Sequence, residues 1–447
     1  MQFPLAALFF TQPPSGAPVD DSNKQNGSGQ SLKSRNLGVA WALCGLTLLV
    51  SALLPSAGVL AASSSGNGNA SDRKPRTVPH WSSSFTDPTN GVTYPFTMVG
   101  SDPSLEQSTS VDTRIVPLSL TFVAAAQNVS VLNIPPLHYY PTPVAVTMDG
   151  TDNVANTIAS PVFTPASFEI SGDSGVQFGD AFARAQFGKV GTDYHVKLDQ
   201  PDVADTVSIQ VPEAMGVAVL NPLGVLVGRV DSTWFRGQLA ALIDEMKLKP
   251  TTLPIFLTNN VGLYSDGSYL HCCTLGGHGA GSPASDVPIS LEGKDKIRTF
   301  VYATYITPNG FSGFPNLYAG FSDIHALSHE IAEWIDNPFG INVVQPYRFR
   351  TASGSPVCSS DLETGDPLAG VWFPIAGNPD AAAGSVWHPQ DEVFLNWFAR
   401  NGEAAGLAPA DVHAYTYMGS MTPPIVVPTR MGPILPYAGF ADVAHAC

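Results

Sequence analysis

The chain has 447 residues, of which 44 % are hydrophobic and only 13 % charged; 21 Lys+Arg stand against 37 Asp+Glu, for a net charge of −16. So acidic a chain excludes nucleic acid and anionic membrane surfaces as main partners, while its apolar content is ample for a core. Glycine (41) and proline (39) are plentiful, which points to loop-rich β or α+β architecture with little scope for long helices.

Residues 1–36 form a polar leader, read either as a start assigned too early or as a tail before an anchor. The run 37–54 is apolar, is preceded by Lys33 and Arg35, and is followed by small residues up to Ala61. This is the pattern of a secretory signal spanning 37–61, with cleavage near Ala61 or Ala62. The Ser/Gly/Asn-rich stretch that follows makes 62–77 a flexible linker. The expectation is a secreted or periplasmic protein; the alternative is membrane attachment through 37–54 as an uncleaved anchor, which is of near-spanning length.

From 78 to 227 the pattern is β-rich. Ile115–Phe122 and Tyr194–Leu198 alternate as strands do, His195 is a strand residue with a satisfied side chain, and Gln177–Phe187 is a short helix. From 228 the pattern changes. Trp234–Met246 has helical spacing, Leu253–Thr258 and Phe300–Ile306 read as strands, and Trp387–Arg400 reads as an amphipathic helix whose Phe394, Leu395, Trp397 and Phe398 belong to the core. The predicted fold class is α+β, a β-rich N-terminal half (78–227) followed by a second domain (228–447).

The chemistry concentrates in the segment Ser322 to Pro338. Ser322 is a suitable N-cap, Asp323 suits a helix N-terminus, and Pro338 ends the helix. Ile324, Leu327, Ile331, Trp334 and Ile335 form one apolar stripe. At about 100° per residue, His325, His329 and Glu333 share an arc of roughly 80° away from that stripe, and Glu330 lies at its border. A solvated polar face is the bland alternative for such a helix. The segment resembles the H-E-x-x-H metal helix of zincin metallopeptidases, with glutamate in place of the second histidine. By that resemblance His329 and Glu333 are metal ligands, and Glu330 is the general base acting on a water that the cation polarises. His325 is an alternative ligand or a partner that orients one.

Downstream, Cys358-Ser-Ser-Asp-Leu-Glu363-Thr-Gly-Asp366 presents two acids around a glycine turn. Zincins of the glutamate type take a further ligand from such a segment, which makes Glu363 the expected third ligand and Asp366 the second choice or an orienting partner. An ordinary Asp/Gly turn is the competing reading. His278, His325 and His388 are candidates to stabilise the transition state or to protonate the leaving group, and His278 is also a possible alternative ligand or a partner that orients one. Beyond Cys44, the cysteines Cys272, Cys273, Cys358 and Cys447 suggest two disulfides, with the adjacent pair bonded to different partners, Cys358 and Cys447. A zinc–thiolate site is the weaker use, because adjacent cysteines lack the usual loop between ligands.

Three elements together carry a wider resemblance. They are Cys272-Cys273-x-Leu-Gly-x-His278, Leu327-Ser-His-Glu-Ile-Ala-Glu-Trp334 and Leu362-Glu-x-Gly-Asp-Pro-Leu368. Across roughly 250–400 the chain is similar to secreted zincin-like proteins, and the first two elements also look like those of the Exordium-type, phosphate-induced wall proteins. The resemblance implies that the three elements meet at one site and that 228–447 is a zincin-like domain. The functional expectation is an exported metal-dependent hydrolase, a peptidase acting on a peptide or protein, with Zn2+ or another divalent cation. The alternative is a non-catalytic extracellular or cell-wall protein, with a structural metal site or polar network, that binds a polysaccharide or protein. A glycoside hydrolase using Glu330 and Glu363 is the weakest reading.

Overall fold

In the computed structural model the strand Ser108–Phe122 (β3), fifteen residues long, is the member around which the rest is built. The structure describes residues 76–123, 140–141, 145–168, 172–221, 223–269, 272–281, 296–311, 322–350, 356–376, 386–400, 427–429, 432–434 and 437–440. The expected leader, signal segment and most of the linker, together with Cys44 and Cys447, lie outside them. Among the described residues no helix is long and apolar enough to cross a membrane. The expectation of membrane attachment is therefore corrected: no described helix supplies a span, and 37–54, on which it rested, lies outside the described residues.

β3 is preceded by the antiparallel hairpin His80–Thr86 (β1) and Thr93–Val99 (β2). It is followed by the helix Phe178–Gln186 (α1) and the strands His195–Leu198 (β4), Val207–Val211 (β5), Gly216–Leu220 (β6) and Leu226–Asp231 (β7). Then come the helix Ser232–Glu245 (α2) and the strands Thr252–Asn259 (β8), Val261–Tyr264 (β9), Cys272–Thr274 (β10), Gly276–Ala280 (β11) and Thr299–Tyr305 (β12). The helix His325–Asp336 (α3), the strands Val343–Arg350 (β13) and Pro356–Asp361 (β14), and the short helix Leu395–Phe398 (α4) complete the parts used below.

The main sheet runs in the order β5-β3-β8-β12-β11, with β4 also paired to β3. Its inner pairs are parallel, and β11 joins the edge antiparallel to β12. Parallel strands covered on both faces read as continuous apolar runs, and Leu253–Leu257 and Phe300–Ala303 are buried throughout. Successive residues then serve opposite cores, because side chains alternate across a strand. Ile255, Leu257, Val301 and Ala303 pack with Phe182 of α1 and Ile331 and Ile335 of α3, while Phe256 and Tyr302 pack with Phe235, Leu239 and Ile243 of α2. A Cβ on Gly179 of α1 would stand 2.8 Å from Ile335 Cδ1 and 3.2 Å from Ile331 Cγ2, so that glycine lets α1 and α3 touch. A third core joins Phe96 and Met98 of β2 to Tyr347, Trp397 and Phe398.

An α+β fold with a β-dominated early region is what forms, and Ala70–Cys447 makes one compact unit. The expected division at 227/228 falls within β7, and β3 from the early region is hydrogen-bonded directly to β8 from the later one. Two local expectations are corrected. Within Trp387–Arg400 only Leu395–Phe398 is helical, because the preceding residues are held extended, with Asp391 N donating to Val371 O and Val393 N to Thr364 O. Cys272 and Cys273 are bonded to each other across a cis peptide rather than to separate partners. Neighbouring residues of a regular strand point to opposite faces. Here the β9–β10 register skips Cys273, breaking that alternation, and Gly262 leaves room for the Cys273 side chain. Cys358 is also disulfide-bonded, to a residue outside the described ones.

One buried ionic network holds α1 in place. Arg184 donates to Asp173 (2.9 Å), to the carbonyls of Thr192 and Tyr194, and to the ring of His195, which in turn is 2.7 Å from Asp180. Arg184→Ala strips Asp173 of its buried counter-charge and is expected to cost about 3–5 kcal/mol. Urea unfolding of the variant beside the wild type measures it; a loss below about 1 kcal/mol would show that water replaces the guanidinium.

Candidate metal centre

α3 lies on β12 and β11, and its burial is more complete than an amphipathic helix requires. The predicted stripe is sealed, with Ile324, Leu327, Ile331, Trp334 and Ile335 each 2 % exposed or less. The polar arc is buried too: Glu330 is 5 % exposed and Glu333 4 %. The solvated-face reading fails on those two values.

The helix begins two residues later than expected. Ser322 does not cap it; Ile324 occupies the N-cap position without a side-chain bond. Asp323, at φ +48°, turns its carboxylate to the Ile324 N–H (2.6 Å), the His388 N–H (3.0 Å) and His388 Nδ1 (2.6 Å). Its backbone is pinned by a two-way bridge to Ile306, which takes the chain out of capping geometry. The stop is as expected: α3 ends at Asp336, with Asn337 as C-cap before Pro338.

Two groups of potential ligands form on this helix and share Glu333. They are His278–Glu333–Glu363 and His329–Glu333–Asp366, each with its ligand atoms within 4.8 Å of one another. Glu333 Oε2 lies 3.1 Å from His329 Nε2 and 3.6 Å from His278 Nδ1, and Glu333 Oε1 accepts the Gly365 N–H at 3.1 Å. Glu363 reaches His278 Nε2 at 3.5 Å, and its Oε1 accepts from Asn337 Nδ2 at 3.1 Å. The expected trio His329, Glu333 and Glu363 is thus divided, with Glu363 beside His278 and Asp366 beside His329. Glu330 belongs to neither group. Its Oε2 is 3.3 Å from His278 Nδ1 and its Oε1 4.0 Å from His329 Nε2.

His325 and His388 stand elsewhere. His325 is 2 % exposed, bonds to the Gln390 side chain and the His388 backbone, and is pushed down to about 3 by burial and the neighbouring His329, so it stays neutral. His388 is fixed to Asp323 at the helix N-terminus and packs edge-on against Trp372.

Burial sets the electrostatics of the cluster. Burial pushes Asp366 up to about 8, with Glu333 adding to the rise and His329 opposing it. Glu330 and Glu333 are raised by burial, and Glu363 and Glu392 are held well above the ordinary carboxyl range for the same reason. So many buried carboxyl groups are neutral only by holding protons or by facing a cation. A buried His/Glu cluster able to coordinate a metal ion is therefore present, with chemistry open to structural or catalytic use.

Three contributors escaped the sequence reading. Glu392 is fully buried, and neither carboxylate oxygen has a hydrogen-bond partner among the described residues. Gly365 forms a cradle: a Cβ there would collide with His329 Nδ1, stand 2.6 Å from His329 Cε1 and 2.8 Å from Glu392 Oε2. His329 therefore turns Nε2 to Glu333 and Nδ1 toward Gly365, and the buried Glu392 carboxylate borders the same glycine, placed to act on that histidine through charge. Gly276 does the same for the base candidate, since a Cβ there would run into the Glu330 carboxylate, with Cδ 2.7 Å away. Both glycines stand inside the quoted motifs, and an acid pair, Asp391-Glu392, in an apolar run was the visible sign of the third. Glu392→Gln is expected to weaken metal affinity about 10–100-fold. Competition against a chromophoric chelator measures this; unchanged affinity would mean that Glu392 does not act on His329.

No protein-family model, no curated protein and no solved structure matches the chain.

Proposed function

We propose that this protein binds a divalent cation, zinc being the first to test, and that the cation ties together β11, α3 and the segment 363–366. The observation that carries this reading is one pair of atoms. His278 Nε2 and Glu363 Oε2 are both buried, neither has a hydrogen-bond partner among the described residues, and they lie 3.5 Å apart. Ligand atoms at about 2.0–2.2 Å from one tetrahedral cation sit roughly 3.3 Å from each other, so the pair has the spacing of two ligands. His329 Nε2 and Glu333 Oε2, at 3.1 Å, have it as well. Imidazole donors favour zinc, and the carboxylates also admit manganese. In this role the cation is structural, and the partner suggested by the likeness to wall proteins is a polysaccharide or another protein.

A second reading, a metal-dependent peptidase of zincin type, is favoured by Glu330. Its carboxylate stands beside both histidines without joining either ligand group, where a general base belongs. A bound cation would supply Lewis acidity there, while Gly276 and His278 hold Glu330 in place. Among the described residues β11 meets one neighbour in the main sheet, an edge on which an extended peptide could pair.

Metal analysis of the purified protein with thermal melts, and peptide-library cleavage by wild type and Glu330→Gln, tests both. The structural reading expects bound metal, a fall in Tm on chelation and no cleavage. Cleavage by the wild type that Glu330→Gln abolishes while retaining metal would overturn it for the peptidase. Absence of bound metal would sink both.

A further inference from the structure

The two ligand groups meet at one residue. From this, and resting on the cation-binding reading above, we infer that the centre holds two divalent cations, one in each group, with the Glu333 carboxylate shared between them.

Each group has its own imidazole. His278 turns its nitrogens to different carboxylates, Nδ1 to Glu330 at 3.3 Å and Nε2 to Glu363 at 3.5 Å. An imidazole offers one lone pair to one cation, and Nε2 is the nitrogen without a hydrogen-bond partner, which commits His278 to the Glu363 side. His329, on the other side of Glu333, presents Nε2 to that glutamate at 3.1 Å and belongs with Asp366. Glu333 is suited to sharing. Its Oε1 is tied to the Gly365 N–H, and its Oε2 lies between the two histidines.

Each group also shows a separate sign that something positive is due there. On the His278 side it is the orphaned Nε2, on a side chain 6 % exposed, facing the orphaned Glu363 Oε2. On the His329 side it is Glu392, fully buried with both oxygens orphaned, beside Gly365, which the His329 ring also borders. Charge points the same way. Glu330, Glu333, Glu363, Asp366 and Glu392 carry five negative charges when ionised, gathered around two imidazoles. One dication leaves three of these uncompensated in a largely water-free site, whereas two leave one. Shared-carboxylate pairs of this kind suit substrates that need both an attacking and a leaving oxygen stabilised, as esters of phosphoric acid do.

The test is stoichiometry. Apo protein is saturated with zinc, desalted and assayed for metal, and in parallel is loaded with manganese for electron paramagnetic resonance. Expected are two zinc ions per chain in the wild type, one each in His278→Ala and His329→Ala, and a spin-coupled manganese spectrum. Wild type saturating at one ion, with an isolated-ion manganese spectrum, would overturn the pair and leave single-cation binding standing. Failure to retain any metal would sink the underlying reading with it. Because the manganese measurement uses the wild type, a variant that folds poorly does not blunt the test.

Discussion

Stripping the protein of divalent cations is expected to reverse the way its stability depends on pH. Glu330, Glu333, Glu363, Asp366 and Glu392 all have folded pKa values raised by burial, Asp366 to about 8. Asp336 on the same helix is also raised to about 8 by burial, opposed by its bond from Gln186. For an acid raised in the folded state, the native protein binds the proton more tightly than the unfolded chain. The stability this contributes is fully present below the ordinary carboxyl pKa and is lost as pH rises through the folded value. The apo protein should therefore weaken steadily from about pH 4 to pH 8, each such carboxyl adding up to about 1.4 kcal/mol per pH unit to the slope. With cation present the sign inverts, because the ligands must shed their protons to bind and rising pH favours that. Melting temperatures at pH 5 and pH 8, in chelator and in zinc, should diverge at the higher pH. Parallel curves in the two conditions would mean that no cation meets this cluster.

Gly365→Ala is expected to do the most damage for the smallest change in mass. The backbone of Gly365, at φ −82° and ψ −31°, is open to any residue, so the requirement is for space alone. The new methyl would collide with the His329 ring and crowd Glu392 Oε2. It would also disturb the two bonds that pass through this residue, its N–H to Glu333 and its carbonyl from Gln390 Nε2. Overpacking of this sort costs about 1–3 kcal/mol. Displacing His329 and Glu333 together should reduce metal affinity further than the loss of Glu392 alone. Gly237, inside α2, is the control, since a Cβ there meets nothing within 4 Å. Gly237→Ala should stabilise the protein by about 0.5–1 kcal/mol through helix propensity. Equal metal affinity in the two variants would remove the case for the Gly365 cradle.

Much of the scaffold was legible because it is written in local periodicity. The runs around Ile115–Phe122, Leu253–Thr258 and Phe300–Ile306 are strands, and the patterns at Gln177–Phe187 and Trp234–Met246 are helices, with ends shifted by a residue or two except that the first strand begins at Ser108. His195 is the satisfied strand residue expected, bonded to Asp180 and Arg184. Two of the disagreements share one cause, which is a long-range contact overriding a local preference: Asp323 leaves the capping position to hold His388, and residues 386–394 stay extended under bonds to the 364–371 segment. The third is local, since Cys272 bonds its own neighbour at a bulge in the register.

The candidate site divides along the same line. The sequence by itself determined that His329, Glu330 and Glu333 ride one helix ending before Pro338, because i and i+4 spacing on a helix is a local geometric fact. It also pointed to the acids around Gly365 and to His278 as residues with ligand chemistry. Only the tertiary structure decided that Glu333 faces two histidines, and that Glu363 sits with His278 and Asp366 with His329. It alone showed that Glu392 and the His329 ring border the same glycine, Gly365, and that Gly276 and Gly365 let the backbone approach Glu330 and His329. The reason is physical: spacing along one helix follows from its pitch, but the meeting of β11, α3, the 363–366 turn and Glu392 follows from how the sheet and helices pack. That packing buried a face which periodicity alone would have left in water, and burial is what gathers a row of carboxylates into a cluster able to hold a cation.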